Sequence, residues 1–132
     1  MRLHEELFSS LVKDLNGGYK ITCNKQEIDF TPPFKRLTYK DALKEYTGLD
    51  LDKFPTKELF ALEMKKRGLA VDPKAGRGKL IDDFYKESVR SKLVGPLFLI
   101  DHPIDISPLA KKTTDNPDYV QRFQLLILGA EL

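Results

Sequence analysis

The pattern of apolar and polar positions predicts a helix, a β-hairpin and three further helices, followed by two short apolar runs. Near the start, apolar residues recur at three- and four-residue steps, which indicates an amphipathic helix. The stretch Asn16-Gly17-Gly18 would end this helix, because glycine accepts the left-handed conformation that closes one. The apolar stripe of the predicted helix consists of Leu3, Leu7, Phe8, Leu11 and Leu15.

A β-hairpin is expected next. Tyr19–Cys23 and Glu27–Thr31 are short β-prone runs on either side of Asn24-Lys25-Gln26, a turn-forming triplet. The hairpin should end at Pro32 and Pro33, since proline donates no hydrogen bond to a neighbouring strand. On this interpretation the residues from Pro33 to Thr38 are only the exit from the strand, and Cys23 is a small core residue.

Three more helices are predicted between residues 38 and 94. Thr38 would cap a helix over Tyr39–Tyr46, and Pro55-Thr56 would open a second helix that runs through Arg67. The third, Lys79–Leu93, separates its faces most clearly. Its apolar face holds Leu80, Ile81, Phe84, Tyr85, Val89 and Leu93, and its polar face Asp82, Asp83, Lys86, Glu87, Arg90 and Lys92.

Two apolar runs close the chain. Leu97–Ile100 and Phe123–Leu128 are short, bounded by proline and glycine, and rich in leucine, isoleucine and phenylalanine, so both are predicted to be buried strands. Three prolines in the connection between them exclude a further central strand there. The expected order is therefore helix, hairpin, three helices, strand, connection, strand.

Composition narrows the class of protein without identifying it. A length of 132 residues suits one domain, and a net charge of +2 does not require a nucleic-acid partner. One cysteine excludes an internal disulfide framework. No apolar run reaches the length of a membrane span, and the start is too acidic for a signal peptide. The expectation is a soluble, cytoplasmic protein.

Several stretches could be mistaken for functional motifs. Gly76-Arg77-Gly78-Lys79 is not a phosphate loop, because the Walker pattern needs a longer spacing and a Ser or Thr after the lysine, where Leu80 stands. The basic triplet Lys65-Lys66-Arg67 is interpreted as a solvated helix end, with contact to a tRNA backbone as the alternative. For Lys111-Lys112, a solvated loop and a contact to tRNA or phosphate are equally compatible with the sequence.

The isolated histidines and acids are interpreted as structural. His4 and His102 have no partner at metal-ligand spacing, so surface or structural roles are favoured. Asp101 and Asp105 flank Pro103, where they could pass for a pair of catalytic carboxylates, but turn acids are the simpler interpretation.

The last quarter of the chain resembles a known family. Its residues are similar to the region of class II lysyl-tRNA synthetases that lies between the second and third signature motifs of that family. The matching residues are Pro96, Phe98, Asp101, Pro103, Ser107-Pro108-Leu109-Ala110-Lys111, Asn116-Pro117, Arg122-Phe123, Gly129 and Glu131-Leu132. The similarity continues, more loosely, back through almost the whole chain.

This resemblance implies an α+β fold: a piece of the antiparallel-sheet catalytic domain of a class II aminoacyl-tRNA synthetase with a helical insertion. Residues 1–37 would form a helix and a hairpin, residues 38–94 the insertion, and residues 95–132 the core strands beside the ATP and Mg²⁺ site. The implied parent enzyme is a ligase, expected to be a homodimer, that activates lysine with ATP and transfers it to tRNA(Lys).

The resemblance also implies the site residues. The family's two metal-binding acids fall on Gln124 and Glu131, so Gln124 keeps an oxygen but lacks the expected charge, and Arg122 becomes a candidate contact to the nucleotide. A two-residue hairpin around Gly129 would place residues 124 and 131 on the same face. Without the resemblance, a single glutamate after a turn would be interpreted as solvated.

The family's signature arginines and its first motif are not found in these 132 residues. We therefore expect a fragment of a synthetase that is inactive alone, binds ATP and Mg²⁺ weakly, and self-associates through exposed strand edges. The alternative is a stand-alone module, derived from a synthetase, that binds tRNA or protein without catalysis. An unrelated helical domain is a third and weaker interpretation.

Overall fold

The computed structural model describes residues 1–23 and 25–131, and the side chain of Glu131 is outside the described part. Asn24, which was expected in the hairpin turn, also lies outside the described residues. The elements, in chain order, are α1 (Arg2–Asn16), β1 (Lys20–Cys23), β2 (Gln26–Asp29), β3 (Lys35–Thr38), α2 (Tyr39–Thr47), α3 (Lys57–Lys66), α4 (Arg77–Ser88), β4 (Leu97–Pro103), β5 (Tyr119–Ile127) and β6 (Ala130–Glu131). Single 3-10 turns cover Leu51–Lys53 and Arg90–Lys92.

A four-stranded sheet in the order β3-β4-β5-β6 forms the centre of the fold, and β1 and β2 pair separately as a hairpin. The β4–β5 and β5–β6 pairs are antiparallel, as expected for this family, whereas β3 and β4 run parallel. The parallel pair arises because α2, α3 and α4 carry the chain back to the start of the sheet before β4 begins. The described fold is thus a mixture of helices and sheet, in agreement with the predicted α+β class.

The three helices α2, α3 and α4 cover one face of the sheet. Thr38 caps α2 by accepting a hydrogen bond from the amide of Asp41, as predicted. Thr56, which was predicted to open the second helix, precedes α3 and caps it by accepting from the amide of Leu59. Alternate residues of the strands point into this core, which forms the larger of the two. Fully buried members include Leu43, Phe60, Leu80, Phe84, Leu93 and Leu99.

The helix α1 and the β1–β2 hairpin cover the opposite face. Their core contains Val12, Ile28, Phe30 and Phe34 together with Phe98 and Leu125 of the sheet. Phe98 and Leu99 are both completely buried although they point to opposite faces, so β4 is covered on both sides. A strand covered on both faces is expected to be continuously apolar, which is how the Leu97–Ile100 run was recognised.

The predicted helix at the start of the chain is present as α1, but its leucine stripe is not the buried face. Leu3, Leu7, Leu11 and Leu15 are exposed, and the face toward the sheet contains Glu5, Ser9 and Val12. Polar contacts hold this orientation: Ser9 Oγ donates to the carbonyl of Phe30 at 2.8 Å. Hydrophobic periodicity identified the helix correctly, but it could not show that hydrogen bonds turn the polar face inward.

Glu5 is the second polar anchor of α1. Its carboxylate accepts hydrogen bonds from the amide of Phe34 and, at 2.7 Å, from the guanidinium of Arg36. The Arg36 contact lowers the pKa of Glu5 below its ordinary value of 4.5, with the Phe34 amide acting in the same direction and burial opposing both. The anchor joins α1 to the segment that leads into β3.

Two further predictions are corrected. Residues 35–38 form the strand β3, not merely a strand exit, because pairing with β4 satisfies a backbone whose side chains are mostly polar and charged. Cys23 is exposed and not in the core, since it pairs with Gln26 at the far end of the hairpin.

Among the described residues, none of the helices has both the length and the apolar character that a membrane crossing requires.

Replacing Glu5 with glutamine should destabilise the fold. The substitution Glu5→Gln removes the charge from the contact with Arg36 and is expected to lower the free energy of unfolding by about 1–3 kcal/mol. The exposed Glu6, whose only described ion pair is with Arg2, is the control: Glu6→Gln should change stability by less than about 0.5 kcal/mol. Urea unfolding of the two variants measures the difference, and equal losses would contradict the anchoring role.

The same contact predicts how stability depends on pH. Because the pKa of Glu5 is lower in the folded than in the unfolded chain, its contribution is complete above pH 4.5 and is lost as the pH falls through the folded-state value. Urea midpoints measured from about pH 7 to about pH 3 should therefore fall less steeply in Glu5→Gln than in the unmodified chain. Parallel curves would contradict this assignment.

Candidate functional site

A cleft of about 510 Å³ lies between the polar face of α4 and the strands β4 and β5. Its lining includes Tyr39, Gly78, Lys79, Asp82, Tyr85, Lys86, Arg90, His102, Asp105, Ile106, Arg122, Gln124 and Leu126. Two of the three predicted site residues, Arg122 and Gln124, are therefore in one cavity. They stand two positions apart on β5, so the pleat of the strand directs both to the face covered by the helices.

Arg122 is held by the loop that follows β4. Its guanidinium donates to Ser107 Oγ at 2.5 Å, within the Ser-Pro-Leu-Ala-Lys run that carries the family resemblance. One guanidinium has five N–H donors, so this contact orients the group and leaves donors for another partner. Leu109 in the same loop is fully exposed.

His102 supports Gln124 from the neighbouring strand. The ring is buried, and its Nε2 lies 3.2 Å from Gln124 Oε1 while Nδ1 lies 3.3 Å from the carbonyl of Arg122. The β4–β5 register shifts between Ile100 and His102, where Asp101 takes a positive φ of 53°. Regular alternation would put His102 on the face of Phe98 and Ile100, whereas this irregularity brings it against Gln124. The structural role favoured for His102 agrees with these contacts.

Tyr39 lies at the floor of the cleft. It is 2% exposed, its ring contacts that of His102 at 5.3 Å, and its hydroxyl has no hydrogen-bond partner among the described residues. Burial raises the pKa of Tyr39 well above its ordinary value of 10.0, and the nearby Asp82 carboxylate acts in the same direction. The hydroxyl therefore stays protonated and can donate to a polar ligand.

The polar face of α4 forms the opposite wall. Lys79, Asp82 and Lys86 of α4 and Arg90 of the following 3-10 turn succeed one another at three- and four-residue steps, which places them on one side of this segment. Lys79 pairs with Asp83 and Lys86 with Asp82, each at 2.9 Å. Cations nevertheless outnumber carboxylates around the cleft, which suits an anionic ligand.

The start of α4 closes one end of the cleft by packing against the loop after β4. Arg77 pairs with Asp105 and also donates to the carbonyl of Phe54 at 3.1 Å. A Cβ on Gly78 would overlap the backbone carbonyl of Asp105, so the two segments approach as closely as glycine permits. Asp105 is therefore a structural acid, consistent with its interpretation as a turn residue.

The third predicted site residue, Glu131, follows a two-residue turn. Leu128 and Gly129 both have positive φ, and the register pairs Ile127 with Ala130 and Leu126 with Glu131. Position 131 is thus opposite Leu126, which lines the cleft and stands two residues from Gln124. The predicted hairpin geometry is confirmed for the backbone. The proposed role of the Glu131 carboxylate concerns a side chain outside the described part and stays a prediction.

Within residues 1–23 and 25–130, no three histidine, cysteine, aspartate or glutamate side chains come together in a way that could hold a metal ion. Oxygen atoms are present in the cleft as the amide of Gln124 and the carboxylates of Asp82 and Asp105. Both carboxylates already pair with cations. Mg²⁺ is usually held by one or two carboxylates, and phosphate and water complete its shell. Among the described side chains of the cleft, Gln124 offers only a neutral oxygen, so a Mg²⁺ site here would depend on the carboxylate of Glu131.

Several other residues considered from the sequence do not join the cleft. Arg67 is used structurally, since it donates to the carbonyl of Thr47 and pairs with Glu63, both at 2.8 Å. His4 is exposed and packs edge-on against Phe123. Lys111 and Lys112 are exposed on the loop between β4 and β5.

Sequence reasoning missed the contributions of Tyr39 and the α4 cations to the cleft. Tyr39 was interpreted only as the first residue of a helix, and Lys86 and Arg90 only as part of the polar face of the predicted helix Lys79–Leu93. The signal for the cations was their regular spacing along that segment, but which side of a helix faces a cleft depends on packing that the sequence alone does not show.

Comparison with known proteins identifies the family. A family model described as tRNA synthetases class II (D, K and N) matches residues 1–132. The chain belongs to this class II tRNA synthetase family. Its relatives include a lysine–tRNA ligase of Dehalococcoides mccartyi (strain ATCC BAA-2100 / JCM 16839 / KCTC 5957 / BAV1), 46% identical over 128 residues that make up 97% of this chain and 26% of the relative.

Other relatives carry the same name. A lysine–tRNA ligase of Campylobacter jejuni (strain RM1221) is 42% identical over 132 residues, all of this chain and 26% of the relative. One from Syntrophomonas wolfei is 37% identical over 132 residues, all of this chain and 27% of the relative. The resemblance stated from the sequence is therefore confirmed. The chain spans about a quarter of the length of the curated relatives it matches.

The close approach at Gly78 predicts that this position does not tolerate a side chain. Gly78→Ala should lower the free energy of unfolding by about 1–3 kcal/mol, because the backbone of Asp105 must shift to admit a methyl group. Gly18→Ala is the control, since nothing lies within 4 Å of a Cβ at that position. Thermal unfolding of both variants measures the effect, and a harmless Gly78→Ala would mean that α4 does not close the cleft as described.

Proposed function

We propose that the chain is part of a lysyl-tRNA synthetase and supplies one wall of the site where lysine is activated with ATP. The observation that carries the proposal is the meeting of Arg122 and Gln124 in one cleft with the cations of α4. Family membership by itself would be compatible with the relatives' reaction even if Arg122 and Gln124 lay far apart. Their convergence on a basic cavity of about 510 Å³ adds a place for a phosphate-bearing substrate.

The residues of the cleft have distinct roles in this proposal. Arg122, oriented by Ser107, donates to the nucleotide and stabilises the charge of its phosphates. Lys79 and Lys86 on the opposite wall add positive charge. The Tyr39 hydroxyl, protonated and without a described partner, donates to a polar atom of the ligand. Little covalent chemistry falls to these groups, which position the substrates and neutralise charge.

The residues proposed to hold Mg²⁺ are Gln124 and Glu131. His102 fixes the amide of Gln124 in the cleft, and the β5–β6 register places position 131 on the same face. When bound with ATP, Mg²⁺ would supply further neutralisation of phosphate charge. Because Gln124 is neutral, the protein contributes less negative charge here than an acid would, so a weaker Mg²⁺ site is expected. Lysine, tRNA(Lys), a homodimeric parent and a cytoplasmic location remain part of the proposal.

The decisive experiment joins this chain to a complete relative. In a chimaera, residues 1–132 replace the matching segment of the D. mccartyi ligase, and lysine-dependent exchange of pyrophosphate into ATP is measured. The chimaera should catalyse exchange, whereas the 132-residue chain alone should not. A well-folded chimaera without exchange would contradict the proposal. Exchange by the 132-residue chain alone would contradict the expectation that the activity needs residues outside this segment.

Restoring the acid at position 124 should strengthen Mg²⁺ binding. In the chimaera, Gln124→Glu is expected to lower the half-saturating Mg²⁺ concentration by about threefold to tenfold, since it adds a negative charge to a side chain that lines the cleft. Gln121→Glu adds the same charge at an exposed position of the same strand and should leave the half-saturating Mg²⁺ concentration unchanged. Identical Mg²⁺ dependence in both variants would remove Gln124 from the proposed metal site.

One observation favours the alternative of a binding module without catalysis. The exposed leucines of α1, spaced four residues apart, give the described chain an apolar helix face suited to contact with another protein. An inactive but folded chimaera would favour this alternative. The test would then be whether Leu7→Lys in the 132-residue chain abolishes its association with a partner or with itself.

A further inference from the structure

The segment that follows α4 lies directly against the turn between β5 and β6. Arg90 donates from Nε to the carbonyl of Gly129 at 2.8 Å, and the amide of Leu128 donates to the carbonyl of Val94 at 2.6 Å. Both residues of the turn are thus hydrogen-bonded to the end of the helical insertion. Arg90 and Gly129 are 39 residues apart in the sequence.

Two glycines show how closely these segments approach. Gly129 has a φ of 75°, and a Cβ there would lie 2.6 Å from the carbonyl oxygen of Arg90. Gly95 has a φ of 74°, and a Cβ there would overlap the carbonyl of Leu126. The backbones on the two sides therefore touch without side chains between them, which requires glycine at both positions.

The turn depends on this outside support. Its two central residues have positive φ, a geometry usually formed by Asn-Gly or Gly-Gly. Leu128 occupies the first of these positions with a φ of 53°, which costs a residue such as leucine about 1–2 kcal/mol. A turn with this sequence is disfavoured by itself, so contacts from the rest of the fold must stabilise it.

We propose that Arg90 is a positioning residue: by holding the carbonyl of Gly129, it fixes the β5–β6 turn and with it the backbone of Glu131 opposite Leu126 in the wall of the cleft. The helical insertion thereby controls the geometry of the site from outside the strands that carry Gln124. The relevance of this contact to Mg²⁺ rests on the proposed function, whereas the support of the turn is a property of this chain.

The side-chain chemistry of Arg90 permits a matched pair of variants. Glutamine carries its amide nitrogen at the position of the arginine Nε, so Arg90→Gln keeps the donor to Gly129 and removes the guanidinium charge. Arg90→Met keeps a stem of similar length and removes the donor. Lys92→Met is the control for lost charge, because Lys92 belongs to the same 3-10 turn but lines a different cavity together with Thr47 and Phe84.

The first test measures amide hydrogen exchange in the 132-residue chain. Arg90→Met should speed exchange at the Leu128 amide by about tenfold or more, while Arg90→Gln and Lys92→Met should match the unmodified chain. Unchanged protection of the Leu128 amide in Arg90→Met would overturn the support of the turn. A loss in Arg90→Gln as large as that in Arg90→Met would also overturn it, because charge and not the donor to Gly129 would then be responsible.

The second test uses the active chimaera. Arg90→Met should raise the half-saturating Mg²⁺ concentration about tenfold, whereas Arg90→Gln, which loses the same charge but keeps the donor to Gly129, should retain the original value. Measurable exchange by Arg90→Met at saturating Mg²⁺ would show that the variant is folded. An unchanged Mg²⁺ dependence in Arg90→Met would overturn the positioning role alone, whereas an unmodified chimaera without exchange would overturn the proposed function.

Discussion

The burial of β4 on both faces is the constraint on which the rest of the structure depends. Phe98 points toward α1 and the hairpin, Leu99 points toward the three helices, and neither is exposed to solvent. A shift of one residue in the pairing would exchange the two faces, so burial fixes the register between β4 and β5. That register places Gln124 beside Leu99 on the helix-covered face, and the pleat of β5 brings Arg122 to the same side. The cleft is therefore a consequence of how the core is packed.

Where the sequence pattern is strongest, it predicted the fold well. The strand β4 contains the predicted run Leu97–Ile100, β5 contains all of the run Phe123–Leu128 except its last residue, and Thr38 caps α2 as predicted. The strand β3 was missed because a segment of four residues is too short to show a hydrophobic periodicity that would indicate a strand. The orientation of α1 was missed because it depends on Glu5 and Ser9 meeting partners more than twenty residues away. The hydrophobic pattern predicts which segments form helices or strands, whereas specific polar contacts decide which face of α1 is buried.

The candidate site, like the fold, was predicted only in part from the sequence. The resemblance to lysyl-tRNA synthetases brought attention to Arg122, Gln124 and Glu131, and the two-residue turn expected around Gly129 is present. The sequence did not predict that the bulge near Asp101 would turn His102 toward Gln124, or that α4 would bring its cations to the opposite wall. These contacts join segments separated by tens of residues. They arise from tertiary packing, which neither periodicity nor a short motif encodes.

The most direct measurement of the central claim is an NMR titration of the isotope-labelled 132-residue chain with ATP and Mg²⁺. Amide shifts report weak binding residue by residue, so they do not require the tight affinity that a complete site would have. We expect the shifts to cluster on β5 around Arg122 and Gln124 and on the face of α4 that carries Lys79 and Lys86. Shifts confined to other surfaces, such as the basic end of α3, would contradict the assignment of this cleft as the nucleotide site.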